Sequence, residues 1–272
     1  RFTSLKPNGA AVWTPRQRIA RVHANGTLDQ DFAPNANGEL QSIALQADGK
    51  ILLGGLFPNI LPIGVPSLVV RSNLVRLNGD GTLDSSFDVE PDYSVQSVTV
   101  QTDGSLLAGG HFTSIKTNGA QTTSRGYIAR LHGNGFVDSA FDPKANSSVS
   151  NIALQKDGQI LSSGWFTTFQ PNGAVSPTTR RHFARLSNSS AEQGLRVLDA
   201  SQILWTRRGS APEAHAVSFE QSGDGGLTWT PLGSGTRVGT TADWQLTGLS
   251  LTTSGRLRAS AVIHQSRGTS LM

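Results

Sequence analysis

The chain has 272 residues, enough to bury a sizeable core without covalent staples. It has no cysteine, which excludes disulfide frameworks, thiolate catalysis and cysteine zinc sites. Only 15% of residues are charged, glycine is abundant at 30, and the formal charge of +4 is scattered, so the basic stripe of a nucleic-acid binder is missing.

No apolar stretch reaches the roughly 18 residues that a membrane helix needs, so membrane insertion is not expected. Residues 1–20 lack the charged-then-apolar order of a signal peptide, and a start at Arg1 reads as a processed or trimmed piece of something longer.

In chain order the first strand-like element is Arg18-Ile-Ala-Arg-Val22, followed by the turn Ala24-Asn25-Gly26 and then Asp29. Next comes Ile43 to Leu45, a turn at Asp48-Gly49, and an apolar run from Ile51 that closes on Gly54-Gly55. Asp-Gly between apolar runs is a strong hairpin signal. Both elements then recur with a period of about 55 residues. The hairpin returns at 101–112 and 155–166, and the arginine strand at Asn73-Leu-Val-Arg76-Leu, Tyr127-Ile-Ala-Arg130-Leu and His182-Phe-Ala-Arg185-Leu. The long connections 3–16, 58–72, 113–125 and 167–180 follow the second strand of each repeat, and most contain Asn-Gly-Ala.

Three-residue loops with glycine in the left-handed position also set register. A loop centred on residue 25 puts Arg21 opposite Asp29, and the same arithmetic sets Arg76 against Asp84 and Arg130 against Asp138. These are expected structural ion pairs that fix register more than they add net stability. Arg185 has Gln193 at the corresponding position, so the fourth copy breaks the rule.

Four short strands per repeat predict an all-β chain of β-propeller-type repeats, with four-stranded blades and a period of about 55 residues. Residues 1–192 hold about three and a half blades starting mid-blade, and a closed propeller needs at least four. Upstream blades, the C-terminal region or self-association would complete it. The Asp-Gly, Gly-Gly and Asn-Gly-Thr-Leu-Asp pattern over residues 1–190 resembles the bacterial delta-60 repeat family, and the double glycine resembles kelch blades. That resemblance implies a secreted or bacterial cell-surface setting and no particular enzymatic activity.

Residues 193–272 read as a small β-sandwich-like module. Its Ser222-Gly-Asp-Gly-Gly-Leu-Thr-Trp229 resembles an Asp-box hairpin, a fold element in sialidases, and the segment as a whole resembles the module that often ends delta-60 repeat proteins.

No catalytic residues stand out, and no cofactor is expected, with calcium the exception: Asn78, Asp80 and Asp84 space their oxygens as calcium loops do. The sibling loops carry His23, Asn25, His132 and Asn134 instead, and no histidines have zinc-ligand spacing. The expected role is a non-catalytic binding, adhesion or assembly scaffold with a protein or glycan surface partner. Asn8, Lys116, Asn118, Arg125 and Asn172 would be donors on a loop face gathered at one end. The alternative is a carbohydrate-active enzyme or a calcium-dependent glycan-binding propeller.

Overall fold

The computed structural model describes residues 2–119, 122–251, 254–265 and 268–271. Ala120, which ends the second Asn-Gly-Ala copy, lies outside the described residues. The described residues are all strand, turn and coil, with no helix among them.

Three antiparallel sheets share one design. The first pairs Glu39–Leu45, Ile51–Leu56 and Leu74–Leu77 in that order. The second pairs Val95–Val100, Leu106–Gly110 and Ile128–Leu131, and the third pairs Val149–Leu154, Ile160–Gly164 and Phe183–Leu186. The first two strands meet at the Asp-Gly turn, a three-residue loop closed between Gln46 and Lys50, in which Gly49 has φ 85°. The side chain of Asp48 accepts the Lys50 N–H and stiffens the turn.

The fourth strand expected in each repeat shrinks to a single bridge: Val22 to Leu28, Leu77 to Leu83, and Leu131 to Val137. The aspartate one residue later is the cause. Asp84 Oδ1 accepts the N–H of Ser86, and Asp138 Oδ1 that of Ala140, so the chain turns out of the ladder as soon as it has entered.

Successive sheets pack face to face. Leu52 and Leu74 of the first share a buried cluster with Val95 and Val98 of the second, and Leu107 and Ile128 of the second share one with Val149 and Ile152 of the third. Each such side chain is worth about 1.5–3 kcal/mol of burial. Serine hydroxyls join the first strands: Ser42 Oγ accepts Val98 N–H and Ser97 Oγ accepts Ile152 N–H, both at 2.9 Å. The first glycine of the pair makes this closeness achievable, and the second makes room inside its own sheet. A Cβ on Gly109 would lie 2.9 Å from Val149 Cγ1, and one on Gly110 only 2.1 Å from the Ser94 carbonyl oxygen. The third repeat has Ser163 at the position of Gly54 and Gly109.

The long connections are not free loops. They form small sheets of their own, such as Val89–Pro91 with Ser114–Thr117 and Thr123–Ser124. They then fold back to the turn after the third strand: Asn8 N–H bonds Gly26 O, and Ile63 N–H bonds Gly81 O. Each connection re-enters the third strand through a non-glycine residue at positive φ, at Arg18, Asn73, Tyr127 and His182. That conformation costs such residues about 1 kcal/mol, and the repeat keeps it four times.

Beyond Leu186 the pattern ends. Ala191–Asp199, Gln202–Gly209, Trp244–Leu246 and Thr236–Arg237 form one sheet, and Thr230–Ser234, Ala214–Ser222, Arg256–Gln265 and Gly268–Leu271 form another. Both enclose a core of Ile203, Trp205, Val217, Phe219 and Trp244, which makes a sandwich. The register of Thr230–Ser234 against Ala214–Ser222 shifts between Phe219 and Glu220, a bulge beside Gly233. The sandwich meets the second repeat sheet through backbone bonds: Thr102 N–H to Ala211 O at 2.8 Å and Glu213 N–H to Val100 O at 3.0 Å.

Candidate functional site

Arg21, Arg76 and Arg130 each make the same set of contacts. Nε donates to the aspartate eight residues on, at 2.7 Å to Asp29, 2.8 Å to Asp84 and 2.7 Å to Asp138. Nη1 reaches into the following repeat, to Gly79 O at 2.5 Å, Gly133 O at 2.6 Å and Asn188 Oδ1 at 2.5 Å. The guanidinium also lies over Phe32, Phe87 and Phe141, within 4.4–4.9 Å of each ring. The sequence motif is therefore Arg, then Asp-x-x-Phe, and the phenylalanine half of it escaped the sequence reading although its spacing is constant. Each aspartate divides its oxygens, Oδ2 for arginine and Oδ1 for its own turn.

Burial raises the Asp84 carboxyl, but the Ser86 hydroxyl, the Arg76 charge and Lys50 more than reverse this and hold it at about 2. At Asp138 burial is likewise outweighed by Arg130, and at Asp29 the Arg21 bond lowers the carboxyl. A carboxyl lowered in the folded chain stabilises it fully above the unfolded value near 4 and loses that stability as pH falls towards 2. Urea midpoints are therefore expected to fall steeply between about pH 4 and pH 2, with Asp84 alone accounting for about 2 kcal/mol. Asp84→Asn should flatten that slope.

The five expected loop-face donors are engaged within the chain. Asn8 Nδ2 donates to Asn25 O, Asn118 Nδ2 to Asn134 O, and Asn172 Nδ2 to Ser139 O and Ala140 O. Lys116 pairs with Glu90 at 3.4 Å. Arg125 is buried and donates to Ser124 O and Asp138 O. It belongs to a second arginine register: Arg16, Arg71, Arg125 and Arg180 each donate to the carbonyl just before them, and Arg16, like Arg125, also reaches the backbone carbonyl of the aspartate in its repeat.

A calcium ion fits Asn78, Asp80 and Asp84 poorly. Asp84 Oδ2 lies 2.8 Å from Arg76 Nε and 3.2 Å from Lys50 Nζ, so its charge is already spent on two cations. Asp80 Oδ1 accepts both the N–H and the hydroxyl of Thr82, and Asn78 turns its amide nitrogen to the same hydroxyl.

The third sheet differs from its siblings. Arg185 is exposed and stands without the aspartate and phenylalanine of the other copies, because Gln193 lies in the sandwich, paired across a ladder with Arg207. A groove of about 330 Å³ opens beside the strand Phe183–Leu186, lined by Phe141, Pro143, Phe169, Arg180, Arg185 and Leu186 among others. In the second repeat the equivalent place is filled by the strand carrying Val137, which packs on the cluster of Phe87, Val89, Ile115 and Leu131. Phe183 is 59% exposed, whereas its counterparts Leu74 and Ile128 are 0% exposed.

Residues 46–87 and 101–141 match a family model described as a domain of unknown function (DUF5122) beta-propeller. The repeat sheets are propeller blades. No curated protein and no solved structure matches the chain. Both matched stretches start at the glutamine before an Asp-Gly turn and end at or next to Asp-x-x-Phe. The blade that begins at Gln155 repeats the hairpin and the arginine strand but not that ending.

A wider cleft of about 560 Å³ lies between the blade turns and the sandwich, with Asp48, Asp103 and Glu213 on its walls. Each of these acids is engaged: Asp48 with Lys50, Asp103 with the Ser105 N–H, and Glu213 with Arg237 at 2.9 Å.

Proposed function

We propose that this chain is a non-catalytic binding or assembly scaffold of a secreted or cell-surface bacterial protein of the delta-60 repeat kind. The observation that carries the proposal is how its acids are used. General acid–base chemistry needs a carboxyl poised near the working pH and free to exchange its proton. Asp29, Asp84 and Asp138 are tied to arginines, Asp243 is held low by Arg208, and the acids of the wide cleft are bound to turns or to Arg237. The resemblance of the repeat pattern to surface proteins supports the location, and the rigid stack of blades supports a partner that is a protein or glycan surface.

Incubation with a panel of aryl glycosides and with immobilised glycans tests this. Retention without turnover is the expected result. Hydrolysis that disappears on Asp103→Asn or Glu213→Gln would establish an enzyme and sink the proposal.

A further inference from the structure

The geometry points to the third blade as a receptor for one extended strand of a second polypeptide, bearing an aliphatic residue followed directly by Asp-x-x-Phe. This rests on the scaffold proposal and names its partner.

The chain itself shows three times what such a strand does. In the second blade Val137 sits beside Leu131, Asp138 takes Arg130, and Phe141 covers the guanidinium while sharing a buried cluster with Ile128. Arg125 meanwhile donates to the Asp138 carbonyl, and Asn118 ties the turn before it through Asn134 O. The counterparts of these groups are in place in the third blade without such a strand beside them. Leu186, Phe169 and Pro143 line an unfilled groove, Arg185 and Arg180 are exposed, Phe183 presents its ring, and Asn172 has turned aside to Ser139 O and Ala140 O. The edge strand Phe183–Leu186 offers backbone groups for strand addition.

A whole further blade packed as the others do is disfavoured. Ser163 puts a side chain where Gly54 and Gly109 admit the valines and isoleucine of the next blade. A second copy of this chain has nothing to lend either, since each of its Asp-x-x-Phe strands already engages its own arginine. The occupant assigned is a separate polypeptide, with a carboxylate for Arg185 and an aromatic ring to lie over its guanidinium and against Phe183.

The probe is a labelled synthetic peptide with the sequence of residues 78–88, added to the intact chain and read by fluorescence anisotropy. Saturable binding is expected, weakened at least about tenfold when the peptide aspartate equivalent to Asp84 becomes asparagine or its phenylalanine becomes alanine. Arg185→Ala should weaken it equally, while Arg181→Ala, outside the groove, should not. The peptide variants keep the test valid should Arg185→Ala disturb folding. No binding at millimolar peptide, or equal binding of the scrambled sequence, would overturn the inference while leaving the scaffold proposal standing. Self-association of the chain that the peptide competes away and Arg185→Ala abolishes would also overturn it, in favour of a second copy.

Discussion

Arg76→Ala is expected to lower the stability of the chain by about 3–5 kcal/mol, read from urea denaturation at neutral pH. The side chains of Arg76 and Asp84 are 5% and 8% exposed, so removing Arg76 strands a carboxylate away from water, with Lys50 as its remaining cation and Ser86 on its other oxygen. The same change also uncovers Phe87 and leaves the Gly133 carbonyl of the next blade without its donor. Arg21→Ala deletes the same contacts in a repeat where the arginine is 42% exposed, and should cost no more than about 1 kcal/mol. If desolvation is the cause, the double change Arg76→Met with Asp84→Leu should recover most of the loss. Equal costs at positions 76 and 21 would contradict the account.

Gly110→Ala should be nearly as damaging, at about 3 kcal/mol or more, because the added carbon would stand 2.1 Å from the Ser94 carbonyl oxygen and neither strand can move without breaking the ladder between them. A gentler pair of exchanges tests blade packing. Gly109→Ser copies the residue of the third blade into the second, where Val149 and Ile152 press on it, and should cost about 1–3 kcal/mol. Ser163→Gly makes the reverse exchange on a face with no blade against it, and should change stability by less than about 1 kcal/mol. Thermal melts of both variants read the contrast.

The repeat, its turns and the Arg–Asp register were legible because each is written in short-range spacing: Asp48 and Gly49 sit between apolar runs, and Arg21 and Asp29 flank a loop of fixed length. The stacked phenylalanines stand at an equally constant three residues beyond the aspartate, but that spacing has a meaning only once the guanidinium each one covers is placed. The small outer sheets were not legible, since strands as short as Thr123–Ser124 are too brief to carry an alternation. Nor was the folding back of the long connections, which turned Asn8, Asn118 and Arg125 from expected surface donors into internal ties. The groove became visible only through a contrast between copies: Gln193 in place of aspartate gave the hint, and the departure of that segment into the sandwich made it a vacancy.

The forward reach of the arginines gives the stack a grain. Arg21 and Arg76 each hold the turn of the next repeat, and Arg130 holds Asn188 just beyond the last blade strand. Parting two neighbouring blades breaks one such bond, the guanidinium losing its acceptor and the carbonyl its donor. Each seam therefore carries its own tie, and the strength of the stack is set seam by seam along the chain.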